Sequence, residues 1–333
     1  MTRAVGWATA VLTAWMLLSC GVSVASSPLV EKARTLVDKR QDTEAETLLL
    51  EAIEEGAREH EAYFLLAKIH LRRQDHKTAV KFAERAIKID DSISEYHLWL
   101  ARSYLAKAME SGMVSAFRYA RRGKGEYEKA IELDSTNTEA RFELCMYLVA
   151  APGMVGGDKD KGVEQATIIE KQDSLFGAYA WAGIWEQDDE FEKAEASLRS
   201  AVVLDTSSSH YAMYALGFFF ERRERYDEAE GVFKEILEIE PDDMGALFQV
   251  GRIYVLAERN LDEAETCFKR YLEVEPRPNS PDWAAAHWRL GMVYDLQGMT
   301  DPALTELRKA VEMAPDNKEY QKTLKNVEKK QEG

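Results

Sequence analysis

The chain has 333 residues, of which 46% are hydrophobic and 31% charged, and its net charge is −16. Because nucleic acids are bound through an excess of Lys and Arg, this acidic balance argues against a nucleic acid ligand. Only 8 prolines are present, and a chain with much charge and little proline is typical of helices whose outer faces are solvated.

Residues 1–25 are predicted to form a secretory signal peptide. Arg3 precedes an apolar run, and a small-residue cleavage pattern ends at Ala25. The run holds about 15 apolar residues, which is short for a helix that spans a bilayer. We therefore expect an exported protein that resides in the periplasm or cell envelope.

Cys20 offers a second way for this segment to end. The residues LLSC, Leu17 to Cys20, resemble a bacterial lipobox, in which the cysteine is lipidated and becomes the new N-terminus. Leu18 is less usual there than a small residue. Lipidation at Cys20, cleavage after Ala25 and an uncleaved anchor all stay open. Lipidation would attach the protein to a membrane without crossing it, and this is the only membrane association that we expect.

Three segments later in the chain are alike. They are DEAEGVFKEILEIEPDD (227–243), DEAETCFKRYLEVEPRP (262–278) and DPALTELRKAVEMAPDN (301–317). Each follows a stretch with a Leu-Gly or Val-Gly pair and an aromatic residue three positions after the Gly: YALGFFFER, FQVGRIYVL or WRLGMVYDL. This pattern resembles the tetratricopeptide repeat (TPR), a 34-residue unit of two helices.

Small residues extend the pattern over residues 26–317 and mark eight units. In the first helices they are Ala33, Ala67, Ala101, Cys145, Ala182, Gly217, Gly251 and Gly291. In the second helices they are Ala45, Ala79, Gly123, Gly162, Ala194, Ala229, Ala264 and Ala303. Small residues at such points let two antiparallel helices approach closely. The resemblance implies an all-α fold, a right-handed TPR superhelix or α-solenoid of antiparallel helix pairs, with residues 318–333 as a C-terminal capping helix and tail.

Two units are longer than the pattern. Their small residues are 22 and 17 residues apart, against 12 in five other units, so insertions are predicted near 107–122 and 151–161. Insertions in a repeat often map to loops on the working face, and a long third unit followed by APG.VGG resembles exported bacterial repeat proteins. The loop residues that we single out as a candidate partner contact are Gly153, Met154, Gly156, Gly157 and Asp158.

The glycine-rich stretch AAPGMVGGDKDKG (150–162) raises the question of phosphate binding. A phosphate loop needs G-x-x-x-x-G-K-[ST], but Asp158 stands where the second Gly should be, and neither Lys159 nor Lys161 is followed by Ser or Thr. Asp158 and Asp160 are spaced like calcium ligands, yet no Glu completes an EF-hand loop. We therefore predict an inserted turn whose glycines permit positive φ.

No catalytic constellation is found in the sequence. The six histidines form no H-E-x-x-H motif, and there is no G-x-S-x-G elbow. His70 and His287 lie on apolar helix faces, where we expect packing roles. Cys145 and Cys267 are predicted to be buried free thiols rather than a disulfide. We expect no enzymatic activity, no cofactor and no metal.

The first helices also predict a peptide groove. In TPR proteins these helices line the inner surface, and here the position three before the small residue is apolar and mostly aromatic. With the position one after it, this gives the predicted groove residues Phe64, Lys68, Arg102, Phe142, Tyr179, Tyr214, Phe218, Phe248, Arg252 and Trp288. Aromatic side chains anchor peptides, and Lys or Arg engages carboxylates. The Lys and Asn residues with which chaperone-binding TPR proteins clamp a C-terminal carboxylate are not matched.

The sequence therefore predicts a non-enzymatic scaffold of the bacterial cell envelope that binds a protein or peptide through the groove, the inserted loops or both. Two alternatives stay open. The first is an accessory subunit of an envelope assembly or transport complex. The second is a small-ligand receptor that uses an aromatic pocket formed by Tyr179, Trp181, Trp185 and Tyr214.

Overall fold

The computed structural model describes residues 27–56, 59–207, 210–276 and 280–332. Within these ranges it contains seventeen α-helices, one short 3₁₀ helix and no strand, as the all-α prediction requires. The predicted signal peptide and Cys20 lie outside the described residues. In the part that is described, no helix is long and apolar enough to cross a membrane.

The described residues up to Ser111 form one compact body. Its helices are α1 (Pro28–Asp38), α2 (Asp42–Glu54), α3 (Glu59–Arg72), α4 (His76–Ile89) and α5 (Ser94–Met109). Helix α1 packs on α2 and α3 packs on α4, while the first helix α3 contacts the first helices on either side of it, α1 and α5. Each unit therefore buries its apolar face inside its own pair and against the next unit, which is how a repeat stack is stabilised.

The described residues from Gly112 onward form a second compact body. Its helices are α6 (Met113–Leu133), α7 (Thr138–Ala150), α8 (Lys159–Gln172), α9 (Ser174–Gln187), α10 (Phe191–Leu204), α11 (Tyr211–Arg222), α12 (Tyr226–Ile239), α13 (Met244–Leu256), α14 (Leu261–Leu272), α15 (Trp283–Leu296), α16 (Thr300–Met313) and α17 (Lys318–Glu332). Each consecutive pair from α7 to α16 packs together, and α17 packs on α16. The boundary between the two bodies falls inside the third predicted repeat.

The sixteen small residues that mark the repeat are all buried. Gly217 shows why size matters: a Cβ atom there would lie 2.6 Å from Cζ of Phe233 on the paired helix α12. The close approach of the two helices thus depends on a missing side chain at one point and a large one opposite. This arrangement confirms the antiparallel helix pairs predicted from the spacing.

Asp and Asn side chains define where helices begin. Seven of them, each directly before a helix, accept a backbone N–H from its first turn: Asp75, Asn137, Asp158, Asp173, Asp243, Asp282 and Asn317. Such a cap satisfies a backbone donor that has no partner within the helix, and is worth about 1 kcal/mol. The caps therefore fix the lengths of the connections between helices.

Three connections between units use the same turn. Asp90, Asp134 and Asp205 each accept the backbone N–H and the hydroxyl hydrogen of a Ser or Thr two positions later. These side-chain and backbone hydrogen bonds hold the pKa of each carboxyl below its ordinary value. The turn directs the chain from a second helix into the first helix of the next unit.

The extra residues of the third repeat are helical. Helix α6 has 21 residues and begins at Met113, so residues 113–122 lengthen a helix instead of forming the loop that insertions usually make. Its sequence explains this, because after Gly112 come Met, Ala, Arg and Lys residues that favour helix, with no proline. Only the insertion in the fourth repeat is a loop.

The C-terminal helix α17 caps the stack, as predicted. Tyr320 lies 5.0 Å from Trp288 of α15, measured between ring centroids, and Thr323 accepts a hydrogen bond from Trp288 Nε1 at 3.0 Å. Val327 is also buried. This helix thus covers apolar surface of the last repeat, while its other face carries Lys and Glu residues in solvent.

Candidate functional site

The ten predicted groove residues lie on first helices, as expected, but they differ in burial. Phe64, Phe248 and Trp288 are buried, with 6%, 3% and 8% of their surfaces exposed. The other seven are half-buried. Neighbouring helices cover the three buried rings: Phe64 contacts Tyr96 and Trp99 of α5, Phe248 contacts Phe268 and Tyr271 of its paired helix α14, and Trp288 contacts Tyr320 of α17. These rings therefore support the surface rather than present it. Partner binding by the remaining seven stays a prediction.

In the first body, the half-buried residues surround Trp99 of α5. Lys68 Nζ lies 4.8 Å from the Trp99 ring and the Arg102 guanidinium lies 4.7 Å from it. Lys68 also pairs with Glu95 at 3.8 Å. Trp99 was not among the predicted groove residues, because it lies one position after the one chosen in each repeat. The cluster combines an aromatic ring with two cations.

In the second body, aromatic rings follow one another along the first helices. Phe142 of α7 contacts Phe176 of α9 at 5.8 Å between ring centroids, and Phe176 contacts Tyr179 at 6.4 Å. Tyr214 and Phe218 of α11 lie 6.0 Å apart. Phe176 was missed in the sequence because it falls six residues before the small landmark, outside the two positions considered.

The two tyrosines of this row differ in their hydrogen bonds. Tyr214 donates to Asp243 Oδ1 at 2.7 Å, which ties α11 to the start of α13. The Tyr179 hydroxyl is buried and has no hydrogen-bond partner among the described residues. Burial, together with the charge of Asp205, raises the pKa of Tyr179 to about 12. The row thus contains one hydroxyl group, that of Tyr179, with no hydrogen-bond partner among the described residues.

Charged residues lie beside the aromatic row at α13 and α15. Arg252 donates to Gln249 Oε1 at 3.0 Å and pairs with Glu221 of α11. The guanidinium of Arg289, which was not predicted, lies 4.2 Å from the Trp288 ring. Burial and the nearby charge of Arg252 lower the pKa of Arg289 to about 10, so Arg289 stays charged at neutral pH.

The loop of the fourth repeat is a closed turn. A short 3₁₀ helix (Gly153–Val155) leads into Gly156, whose φ of +97° is left-handed. Val155 is buried, and its carbonyl accepts a hydrogen bond from the Tyr147 hydroxyl at 2.7 Å. Asp158 then caps α8 by accepting the backbone N–H of Lys161. The glycines therefore shape a bend, as predicted.

The backbone N–H groups of this turn are hydrogen-bonded to nearby backbone carbonyls. The N–H of Gly156 bonds to Gly153 O, that of Gly157 to Pro152 O at 3.2 Å, and that of Asp158 to Leu148 O at 2.8 Å. These N–H groups consequently do not converge on an anion, which a phosphate loop requires. Met154, in contrast, is 66% exposed at the surface of the turn. What the loop offers a partner is an apolar side chain.

The loop also contacts helix α6. A Cβ atom at Gly156 would lie 3.0 Å from Cδ of Lys124, which itself pairs with Glu128 at 2.6 Å. The lengthened helix of the third repeat and the loop of the fourth thus meet within the second body. Together they form the part of this body that departs most from a regular repeat.

Two of the residues considered for a small-ligand pocket are packed on each other. Trp181 and Trp185 stack at 5.5 Å between ring centroids, and Lys193 Nζ lies 4.8 Å from the Trp185 ring. Two depressions of the surface, of 560 and 450 Å³, lie elsewhere, at turns between helices and with mainly charged linings. Their charged linings do not suit a small ligand, because ligand pockets are concave and mostly apolar.

The cysteine and histidine side chains considered in the sequence are packed within the helix pairs. Cys145 and Cys267 are buried free thiols, as predicted, and burial raises their pKa to about 12 and about 11. His70 packs against Phe82, and His287 contacts Glu306. In the described ranges no three His, Cys, Asp or Glu side chains are grouped closely enough to hold a metal ion.

Comparisons with known proteins connect these features to a family. A model described as the middle TPR-like domain of cilia and flagella-associated protein 70 matches residues 179–314. A tetratricopeptide repeat model matches residues 30–92. No curated protein matches the chain.

Several solved structures match at low sequence identity. A tetratricopeptide repeat protein from Parabacteroides merdae ATCC 43184 is 14% identical, covers 90% of this chain and 97% of its own, and gives a TM-score of 0.48. YrrB, described as a TPR protein with an unusual peptide-binding site, is 19% identical over 73% of this chain and 97% of its own, with a TM-score of 0.37. A chain of the APC/C hetero-tetramer Cut9-Hcn1 is 14% identical over 94% of this chain and 58% of its own, with a TM-score of 0.46.

The family assignment comes from the two sequence models and from the packing of the helices. The matched ranges together span more than half of the chain and lie within the repeat region. Inside both ranges the helices pair through buried small residues at the repeat spacing. The chain is a tetratricopeptide repeat protein.

Proposed function

We propose that the protein is a non-enzymatic scaffold that binds a protein or peptide partner through the inner row of the second body. We use this name for the half-buried residues of its first helices, Phe142, Tyr179, Tyr214, Phe218 and Arg252. The TPR fold itself suggests protein–protein interaction, and no catalytic grouping argues for an enzyme. The observation that carries the proposal is a row of aromatic rings left half-exposed next to an arginine.

The inner row has the properties of a binding surface. Phe218 packs on the fully buried Phe233 at 5.6 Å between ring centroids, so its position is fixed from behind. Tyr214 is held by Asp243 and by its own contact with Phe233 at 5.9 Å. Aromatic residues that are rigid before binding lose little conformational entropy when a partner covers them. Such residues are the usual anchors of protein interfaces.

Changing both Tyr214 and Phe218 to Ala should abolish capture of the partner. Loss of two central aromatic anchors is expected to cost at least about 2 kcal/mol of binding free energy, or roughly thirtyfold in affinity. The measurement is an affinity pull-down from envelope extract, with bound proteins identified by mass spectrometry, followed by titration of the purified partner. Circular dichroism checks that the helices remain folded.

Tyr211→Ala provides the matched control for this test. Tyr211 lies on the same helix α11 but is 67% exposed and outside the inner row. This variant should capture the partner as the unchanged protein does. If the Tyr214/Phe218 double variant still binds, the inner row is not the binding surface.

Met154 marks the second candidate surface, which would suit an accessory subunit of an envelope assembly or transport complex. Its side chain projects from a closed turn and is mostly exposed. Met154→Asp would place a charge on this surface without changing the glycines that shape the turn. In the pull-down, loss of the partner with Met154→Asp and retention with the double variant would favour this alternative.

We also propose that residues 1–25 direct export and that Cys20 is lipidated, which the sequence LLSC supports. Cells expressing the protein and supplied with a radiolabelled fatty acid should incorporate label into the chain, and Cys20→Ala should remove it. On cell fractionation, the Cys20→Ala protein should be found in the soluble periplasmic fraction instead of the membrane fraction, because it lacks the lipid anchor. Equal labelling of the two proteins would contradict lipidation at Cys20.

A further inference from the structure

The added part of helix α6 carries side chains that packing of the repeats does not explain. Residues 113–122 lengthen this helix beyond the second helix of a regular unit. Three large apolar side chains near its start are exposed: Met113 is 74% exposed, Val114 85% and Phe117 38%. Large apolar side chains that are grouped at a surface mark an interaction site more often than single ones do.

The three apolar side chains share one side of α6 with arginines. Successive residues of a helix point about 100° apart, so six exposed residues of α6 fall within about half of its circumference. In order around the helix they are Met113, Phe117, Arg121, Val114, Arg118 and Arg122. We call these six residues the exposed α6 face. The residues on the opposite side, among them Ala116, Tyr119, Ala120 and Gly123, are half-buried or buried.

The charge of this face is opposite to that of the whole chain. Residues 111–125 contain four basic residues and no acidic one, although the net charge of the chain is −16. One of the four, Lys124, pairs with Glu128. Arg118 and Arg121 form no ion pair with the described residues, and Arg118 lies 5.4 Å from the Tyr119 ring. These two guanidinium groups are therefore free to meet an anion from outside the chain.

We propose that the exposed α6 face lies on a membrane surface that contains anionic phospholipids. Met113, Val114 and Phe117 enter the boundary between the headgroups and the acyl chains, while the arginines contact lipid phosphates. A helix that lies in the plane of the membrane interface combines apolar and basic residues in this way, and it does not need the length of a spanning helix. Basic residues close to an anionic leaflet add electrostatic attraction to the apolar contact.

The shape of the face favours a membrane over an acidic polypeptide. An acidic polypeptide would pair with the arginines, but the apolar anchors of a peptide usually enter a groove. Met113 and Val114 are too exposed to line a groove, and instead project from the helix. A bilayer accepts projecting apolar side chains anywhere on its surface.

This surface is separate from the inner row, so the inference does not rest on the proposed function. It is also independent of lipidation at Cys20, because all six residues belong to the second body. If Cys20 is lipidated as well, the lipid would tether the chain, and the exposed α6 face would orient the second body on the same membrane.

Co-sedimentation with lipid vesicles tests the proposal. The full chain with Cys20→Ala is used throughout, so that no lipid anchor contributes and any effect of residues 1–25 is the same in every variant. This protein should bind vesicles of phosphatidylcholine with about one-third phosphatidylglycerol at least about tenfold more tightly than vesicles of phosphatidylcholine alone. High salt should remove most of the difference, because it screens exposed charges. Equal binding to the two kinds of vesicle, or binding to neither, would overturn the proposal.

Two double variants with the same change of charge locate the electrostatic contact. Arg118→Gln with Arg121→Gln should weaken binding to the anionic vesicles at least about tenfold. The control is Lys322→Gln with Lys325→Gln, which removes two exposed basic residues from α17 of the same body. It should leave the affinity within about twofold of the original, because these lysines are outside the exposed α6 face and the attraction acts over a short range. Equal losses in the two variants would mean that α6 is not the contact, and the inference would fail.

A fluorescent label tests whether the apolar side chains enter the membrane. Val114→Cys and Val203→Cys are labelled separately with an environment-sensitive dye. The two valines are 85% and 83% exposed and lie in the same body, and the natural thiols Cys145 and Cys267 are buried. Anionic vesicles should shift the emission of the label at position 114 to the blue, because it leaves water, and should not change that at position 203. Equal shifts, or none at position 114, would contradict insertion of α6.

Poly-L-glutamate, an acidic polypeptide without apolar side chains, tests the other kind of partner. We expect it to bind the protein at least about tenfold more weakly than the anionic vesicles do, since it offers no apolar contact. If it binds more tightly than the vesicles, and Arg118→Gln with Arg121→Gln abolishes this binding, the face takes a polypeptide and the inference is wrong. Circular dichroism checks that every variant keeps its helices.

Discussion

Gly157→Ala should destabilise the second body by about 3 kcal/mol, near the upper end of what overpacking costs. A Cβ atom at Gly157 would lie 1.7 Å from the carbonyl oxygen of Ala151 and 2.6 Å from its carbonyl carbon. Both contacts are with backbone, which cannot rotate away as a side chain can. The turn would have to open, and the bonds from Gly157 N–H to Pro152 O and from Asp158 N–H to Leu148 O would be strained.

Gly153→Ala is the control within the same loop. A Cβ atom at Gly153 has nothing within 4 Å, so this change should leave the free energy of unfolding within about 1 kcal/mol of the original. The measurement is the urea midpoint of the two variants, followed by circular dichroism. Equal midpoints for Gly157→Ala and Gly153→Ala would show that the turn does not close as described.

Phe233→Ala should cost about 3–5 kcal/mol, the range seen when a fully buried aromatic ring is removed from a core. Phe233 is 0% exposed, lies against Gly217, and supports the rings of Tyr214 and Phe218. Removal leaves a cavity behind the inner row, so partner affinity should fall together with stability. Thermal unfolding and titration of the partner measure the two effects.

The control for Phe233→Ala is Ile239→Ala on the same helix α12. Ile239 is 59% exposed, so its loss should change stability by no more than about 0.5 kcal/mol.

A second test uses Gly217→Ala, which should destabilise the original protein, since the new Cβ would contact the Phe233 ring. In the Phe233→Ala background the same change should be neutral or stabilising, because the methyl group then enters the cavity. Additive effects would contradict the contact.

The repeat fold could be predicted from the sequence because its determinants are local and periodic. The sequence shows a small residue in each helix of a unit and a regular spacing between these two residues. All the small residues identified in this way are buried. The length of an insertion is also visible, but not its conformation. In the third repeat the extra residues extend α6, while in the fourth they form a turn, since only the latter holds Pro152 and clustered glycines.

The inner row was harder to predict because the exposure of a ring depends on which side chains the neighbouring helices place over it. Phe248 and Tyr214 occupy the same position of the repeat, yet Phe248 packs against Phe268 and Tyr271, and is buried, while Tyr214 is half-exposed. Neighbouring helix positions differ by about 100° in direction, so a long side chain one position away can still reach the edge of the same surface. Trp99 and Arg289 were missed for that reason, although each contacts a predicted groove residue.

The closed turn of the fourth repeat also bears on how similar sequences should be interpreted. Gly157 is required by the carbonyl of Ala151, and the left-handed φ of Gly156 favours glycine, whereas Gly153 is under neither constraint. Other chains that fold this turn will therefore carry the same two adjacent glycines, whatever they bind. A database search with that string would collect proteins that share a bend, and shared ligands would have to be sought in the residues around it, such as the one at the position of Met154.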